Sequence, residues 1–206
     1  RLKIANVYST PIRLSNGNRQ SNFYLYKGNL MSSNSPIHCG DGFVPLNIAV
    51  LTVSDTREEH NDTSGQALVE RLQGAGHKLA AKEISKDDVY QLRSIVSQWI
   101  ARDDIQVILT TGGTGFTARD NTPEALLPLF DKNIEGFGEV FRAISLDEIG
   151  TSTVQSRAFG GMANSTVILS VPGSTNACKT AWDKLIVEQL DASHRPCNFV
   201  PHLKFT

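Results

Sequence analysis

From residue 46 onward, the hydrophobic positions of the chain fall into two alternating patterns. Leu46-Asn-Ile-Ala-Val-Leu-Thr-Val53 is a short, nearly continuous apolar run, as expected of a strand covered on both faces. Ser54 to Thr63 is polar and reads as a loop. Leu68, Leu72 and Ala75 then recur at spacings of four and three ahead of Gly76, which predicts an amphipathic helix with a glycine stop. Leu79 to Ile84 predicts a second strand. Val89, Leu92, Val96 and Trp99 predict a second helix, and Ile105 to Thr110 a third strand. Thr122-Pro-Glu opens another helix with proline in its first turn. Phe137, Val140, Phe141 and Ile144 mark the next. Thr166 to Val171 is a strand closed by Pro172-Gly173, and Ser174 can cap a last helix carrying Cys178, Ala181 and Leu185. Strands alternating with helices predict an α/β domain with a mostly parallel sheet covered on both faces. Ligands bind such sheets at the carboxyl ends of the strands. Three candidate loops leave strands there: Ser54-Asp55, Thr111 to Thr122, and Pro172-Gly173-Ser174.

The first thirty residues are different in kind. They hold five basic residues, no acid and five asparagines, and no apolar period persists. Such a segment buries too little apolar surface to offset the entropy of ordering it. The expectation is a flexible extension over residues 1–43, with residues 1–30 upstream of a natural start at Met31, and a folded domain over 44–206. A targeting peptide is the alternative, since the stretch is basic and acid-free, but it lacks an apolar core and an arginine-rich amphipathic period.

Charge and cysteine content exclude more than they assign. Over 206 residues the formal net charge is −1, which argues against a protein built mainly to bind nucleic acid. The longest charge-free apolar stretch, Leu46 to Val53, is too short to span a bilayer. Cys39, Cys178 and Cys197 are widely spaced and odd in number, which fits neither a disulfide scaffold nor a zinc ribbon. A reducing compartment, the cytoplasm, is expected. The five histidines show no metal-ligand spacing.

The candidate chemistry lies in Thr110-Thr-Gly-Gly-Thr-Gly115, directly after the third strand. Glycines let the backbone approach a ligand, and the N–H groups of Thr111, Gly112, Gly113, Thr114 and Gly115 can point at phosphate oxygens. The same composition also makes a plain tight turn. A P-loop would need Gly-Lys-Ser/Thr, and Phe116 follows Gly115 instead. Gly113-Thr-Gly-Phe-Thr-Ala118, with Glu135 downstream, partly matches a dinucleotide fingerprint and leaves a dinucleotide-dependent oxidoreductase as a remote alternative. That alternative requires a helix opening at Gly115. Asp120 is the informative residue. A carboxylate beside a phosphate cradle is repelled by roughly 4 kcal/mol at ~4 Å and an effective dielectric near 20, unless a cation intervenes. With no P-loop lysine, that cation would be Mg²⁺, held by Asp120 and Asp55. Asp120 could instead cap the helix or pair with Arg119, and Asp55 could be a turn residue.

The run continues as Arg119-Asp120-x-Thr122-Pro123-Glu124-Ala125, and together these residues resemble the MoaB/MogA family of molybdenum cofactor biosynthesis. Ser54-Asp55, Gly136-Phe-Gly-Glu139, Ser156-Arg157 and Pro172-Gly173-Ser174 extend the resemblance over residues 46 to 203. The stretch from Thr180-Ala-Trp182 to Arg195-Pro-Cys-Asn-Phe199 and Pro201-His-Leu203 is similar to the bacterial MoaB branch, whereas Thr56-Arg57-Glu58-Glu59 is more charged than the family pattern. The resemblance implies a three-layer α/β/α sandwich that binds molybdopterin. It further implies transfer of AMP from Mg-ATP to the pterin's terminal phosphate with release of pyrophosphate. Some MoaB members lack a clear adenylyltransferase role, so a molybdopterin-binding protein without turnover is the alternative. Carried over by position, Asp120 and Asp87 are the essential acids, and Thr111 to Gly115 hold phosphate. Asp55, Thr122, Pro172, Gly173 and Ser174 line the same pocket. A homotrimer or homohexamer, and a later hand-over to a molybdate-inserting protein, also follow from the resemblance.

Overall fold

The computed structural model describes residues 23–26, 29–32 and 37–205. Within them the two hydrophobic patterns become a six-stranded sheet between two helical layers. The elements run β1 (Phe23–Tyr26), β2 (Asn29–Ser32), β3 (Asn47–Val53), α1 (Thr63–Gly74), β4 (Lys78–Ser85), α2 (Val89–Ala101), β5 (Val107–Thr111) and α3 (Thr122–Leu126). They continue with β6 (Lys132–Asn133), α4 (Glu135–Ile149), a 3₁₀ segment over Gly150–Gln155, β7 (Phe159–Ala163), β8 (Thr166–Val171) and α5 (Thr175–Ala181). The chain then passes through a π-helical turn at Trp182–Ile186 into α6 (Val187–Gln189).

The strand order is β4-β3-β5-β8-β7-β6. β4, β3, β5 and β8 are parallel. β7 runs antiparallel to both of its neighbours. The alternation in β3 accounts for the layers. Ile48 and Val50 point into one core with Leu68, Leu72, Phe141, Trp182 and Ile186, beneath α1, α4 and α5. Ala49 and Leu51 point into the other with Leu92, Val96, Trp99 and Leu126, beneath α2 and α3. The chain is therefore the three-layer α/β/α sandwich that the periodicity and the resemblance led us to expect.

Three expectations need correction. β6 and β7 were not foreseen, because β6 has two residues and the Gly160-Gly161 pair interrupts the apolar pattern of β7. Val140 was read with the buried face of its helix but is exposed, while Phe137 and Phe141 are buried. Residues 37–43 are not a free arm. Ile37 packs on the first core. Gly40 N–H donates to Ala192 O at 2.7 Å, and the Phe43 ring lies 5.0 Å from that of His77. Upstream, β1 and β2 form an antiparallel hairpin where no period was read. The rest of the predicted extension, including the targeting alternative, lies outside the described residues. Among the described residues, no helix is long and apolar enough to cross a membrane.

Candidate functional site

Strand register brings the candidate loops to one level. Val53 pairs with Ser85, Thr52 with Thr111, and Thr111 with Val171. The loops after β3, β4, β5 and β8 therefore leave the same edge of the sheet. From β3 the chain moves outward to β4 on one side, while β5 lies on the other, so the crevice opens at a topological switch point. A cleft of about 430 Å³ lies there. Ser54 and Arg57 line it from the first loop, Gly112 to Gly115 and Asp120 from the second, and Pro172 and Gly173 from the third.

The glycine loop needs its glycines at two points. Gly112 has φ +103°, and a Cβ there would run into Val53 O. Gly113 has φ +63°, and a Cβ there would meet the Thr122 hydroxyl and an Asp87 carboxylate oxygen. Only glycine takes up these conformations without strain. The loop is tied down from below: Gly112 N–H donates to Val171 O, and the Thr122 hydroxyl donates to Gly112 O at 2.9 Å.

The predicted site residues divide by what their side chains do. Asp120 is on the cleft wall. It neither caps the helix nor pairs with Arg119. Its carboxylate accepts from Thr117 N–H at 2.8 Å and from the Thr117 hydroxyl at 2.6 Å. Burial alone would raise its pKa, but the bonds from Thr117 and the Gly115 N–H, with Arg157 nearby, outweigh it and hold the carboxyl below its ordinary value. Asp87 sits behind the loop, off the cleft lining, and accepts from Asn121 N–H at 3.0 Å. Its pKa is pushed up to about 6, first by burial and then by the charges of Asp120, Asp55 and Glu124, against the Asn121 bond. Asp55 is at the rim, where Arg119 Nη2 lies 2.5 Å from its carboxylate. Thr114 lines the cleft.

Three other predicted residues serve the scaffold. Thr111 lines the cleft, but its hydroxyl donates to Pro172 O at 3.0 Å and faces Cys178 Sγ, so that group is engaged within the protein. Thr122 is fully buried beneath the loop. Ser174 caps α5 by accepting from Ala177 N–H at 3.1 Å and is not among the residues lining the cleft.

Two arginines that the sequence reading gave no role organise the site. Arg157 Nε donates to Gly115 O at 2.8 Å and Nη2 to Asp120 O at 2.7 Å, while Nη1 pairs with Glu124. One guanidinium thus clasps both ends of the loop. Arg57 donates to Gly173 O at 3.2 Å and pairs with the buried Asp62 at 3.4 Å, joining the first and third loops. Ile149, Ser152, Gln155 and Ser156 also line the cleft. Ser156-Arg157 stood among the family-like motifs, but contacts spanning 37 and 42 residues of sequence cannot be read from spacing.

The donor chemistry suits a divalent cation shared with phosphate. Mg²⁺ is commonly held by one or two carboxylates and completed by phosphate oxygens; Asp120 presents a carboxylate on the cleft wall, while Asp55, paired with Arg119, is not among the residues lining it. Among the described residues, no group of three or more His, Cys, Asp or Glu side chains is placed to hold a metal by itself. The helix after the loop opens at Thr122, seven residues beyond Gly115, so the geometry required by the dinucleotide alternative is missing.

Comparison with known proteins agrees with this geometry. Residues 49–192 match the family described as "Probable molybdopterin binding domain". Molybdenum cofactor biosynthesis protein B of Escherichia coli K12 is 60% identical over 162 residues, covering 79% of this chain and 95% of that protein. A crystal structure of a molybdenum cofactor biosynthesis protein B superposes with a TM-score of 0.71 at 46% identity, covering 73% of this chain and 94% of the other. The tungsten cofactor synthesizing protein MoaB of Pyrococcus furiosus superposes at 0.60 with 38% identity, over 68% and 89% of the two chains. Motif, sequence and fold converge: the chain belongs to the MoaB family of molybdenum cofactor biosynthesis proteins.

Proposed function

We propose that this molybdenum cofactor biosynthesis protein binds molybdopterin in the cleft and adenylylates it with Mg-ATP. The observation that carries this reading is the juxtaposition of the Gly112–Gly115 main chain with the Asp120 carboxylate on one cleft wall. Amides there can receive phosphate oxygens, and a carboxylate so close to them suits phosphate only when a cation lies between.

The reaction is phosphate attack on phosphate. An oxygen of the pterin's terminal phosphate forms a bond to the α-phosphorus of ATP, the bond to the bridging oxygen breaks, and pyrophosphate leaves. The nucleophile is already ionised near neutral pH, so no general base is required. Catalysis is positioning and charge neutralisation. Mg²⁺, when bound, supplies Lewis-acid charge neutralisation at the phosphates, with Asp120 and Asp55 as its carboxylate ligands. The glycine-loop N–H groups and the Thr114 hydroxyl orient phosphate oxygens. Asp87, behind Gly113, fixes the loop from the far side and strengthens the negative field that a cation would balance. The assembly expected from the resemblance, a homotrimer or homohexamer with later hand-over to a molybdate-inserting protein, belongs to the same proposal.

A coupled assay for pyrophosphate release with ATP, Mg²⁺ and molybdopterin tests the reading. Wild type turns over, EDTA stops it, and Asp120→Ala lowers the rate by at least about 100-fold, as expected for removal of one main electrostatic group. Normal turnover of a folded Asp120→Ala protein removes that residue from the mechanism. The Arg119–Asp55 ion pair favours a second reading, a molybdopterin-binding protein without turnover, because it engages one of the two carboxylates proposed for the metal. Binding of molybdopterin by calorimetry, with no pyrophosphate formed, selects that reading.

A further inference from the structure

We infer that Arg57 receives a phosphate group that carries no metal ion, at the end of the cleft away from Asp120. The inference rests on the function proposed above and adds a specificity-determining residue to that site. Arg57 belongs to the Thr56-Arg57-Glu58-Glu59 stretch that is more charged than the family pattern. Among the described residues, it is the only cationic side chain lining the cleft.

The guanidinium is held in place with donors to spare. Nη1 donates to the Ser64 hydroxyl and to Asp62, and Nη2 donates to Gly173 O at 3.2 Å. Ser64 and Gly173 both line the cleft, so the guanidinium lies at its wall. These bonds use three of the five N–H groups of an arginine. The remaining two, on Nε and Nη2, can donate to phosphate oxygens. The charge is directed as well. Asp62, whose side chain is fully buried, lies 3.4 Å from Arg57 and 3.5 Å from Lys82 Nζ, and Lys82 pairs in turn with Glu59. The four charges alternate outward from the cleft. The row ends in Glu59, which is 76% exposed, where water and salt screen it. The cleft therefore meets the positive end.

Position along the glycine loop sets Arg57 apart from Asp120. Gly173, which accepts from Arg57, packs on Gly112: a Cβ on Gly173 would lie 3.2 Å from Gly112 Cα. At the other end, a Cβ on Gly115 would lie 2.8 Å from Asp120 Oδ2. A cation thus stands at the start of the loop and a carboxylate at its finish. A phosphate beside Asp120 needs a metal to offset repulsion, whereas one beside Arg57 needs none, and a divalent cation there would be repelled. The two ends sort phosphates by whether they carry Mg²⁺. In the proposed reaction ATP arrives with the metal and the pterin's phosphate without it, so Arg57 takes the pterin's phosphate.

The experiment is titration calorimetry with inorganic phosphate in EDTA, and with Mg-ATP and molybdopterin in Mg²⁺, on wild type, Arg57→Gln and Arg57→Lys. Thermal melts verify that both variants fold. Arg57→Gln is expected to weaken inorganic phosphate by about 10- to 150-fold, the range for a hydrogen bond to a charged group. Arg57→Lys keeps the charge but loses the three-way clasp, and should retain phosphate within about fivefold, the cost of one ordinary hydrogen bond. Asp120→Asn, which leaves the Arg57 clasp intact, should bind metal-free phosphate at least as tightly as wild type. Equal loss in both Arg57 variants makes the residue a clasp alone and overturns the inference. So does no loss in either, a matching loss in Asp120→Asn, or phosphate bound only with Mg²⁺. In Arg57→Gln, molybdopterin should weaken more than Mg-ATP; equal losses or the reverse order overturn the sorting of the two phosphates. A wild type that binds inorganic phosphate through Arg57, but neither Mg-ATP nor molybdopterin, overturns the proposed function and leaves Arg57 as a phosphate receptor. One that binds none of the three overturns both.

Discussion

Asp87 and Asp120 are the same residue type 33 positions apart, and their surroundings push them in opposite directions. Asp120 accepts bonds that favour its charged form, whereas Asp87 is half-buried near other acids and is pushed up to about 6. The consequence for stability follows from linkage. An unfolded aspartate titrates near 3.9, and between there and about 6 the folded chain holds the extra proton. Stability therefore falls as pH rises across that window, and the penalty is complete above it. Asp87→Asn keeps the acceptor for Asn121 N–H and removes the charge. We expect it to melt above wild type at pH 8 and level with it at pH 4. A thermal melt at the two pH values checks this, and a variant less stable than wild type at pH 8 would show the ionised form to be favoured by the fold. If ionised Asp87 is needed for turnover, pyrophosphate release by wild type should also rise through pH 6.

At the scale of elements, the site depends on clasps between loops more than on any loop alone. Arg157→Ala leaves the carbonyls of Gly115 and Asp120 without their donor and frees Glu124. The expected cost is about 1–3 kcal/mol, the usual range for stranding such groups. Hydrogen exchange should quicken at amides 112–121 and stay unchanged in β5 and β8. Uniform change across the sheet would mean that Arg157 supports the whole fold. α5 offers a separate check. Cys178 lies on its buried face against Thr111, and burial pushes its thiol up to about 11. At pH 8 a thiol reagent should modify the exposed Cys197 promptly and Cys178 only after denaturant is added. Prompt reaction at Cys178 in the native protein would mean that α5 opens locally.

For the whole molecule, the two cores share one sheet, and His77 stands where the N-terminal approach meets the larger of them. It is buried beside Phe43 and Trp182, and its Nδ1 accepts from Leu46 N–H at 3.2 Å. Burial lowers its pKa to about 4, against a smaller opposing effect of Asp191. A depressed histidine contributes stability that is whole above pH 6.5, the unfolded value, and is lost as pH falls towards 4. Asp87 acts with the opposite sign in nearly the same window. The wild-type stability profile between pH 4 and 6.5 should therefore be flatter than that of Asp87→Asn, in which the histidine slope stands alone. Chemical denaturation across that range measures both slopes, and identical slopes would show that one of the two groups is not titrating as described.

The chain order of apolar and polar positions was enough to predict the α/β class, the main strands and the three loops at one sheet edge. Those features depend on local periodicity and on residues a few positions apart. The glycine loop and its acid were legible for the same reason, since a backbone that must take positive φ close against neighbouring main chain restricts composition locally. Tertiary structure alone decided which predicted residues face the cleft. Thr111 lines the cleft while Thr122 and Ser174 do not, and the fold commits the hydroxyls of all three to Pro172, Gly112 and Ala177. It also decided that Arg57 and Arg157 bind the loops together, and that the 3₁₀ segment after α4 adds to the cleft lining. Such contacts join residues tens of positions apart, and nothing in a side chain's chemistry says which of several acceptors packing will bring within its reach.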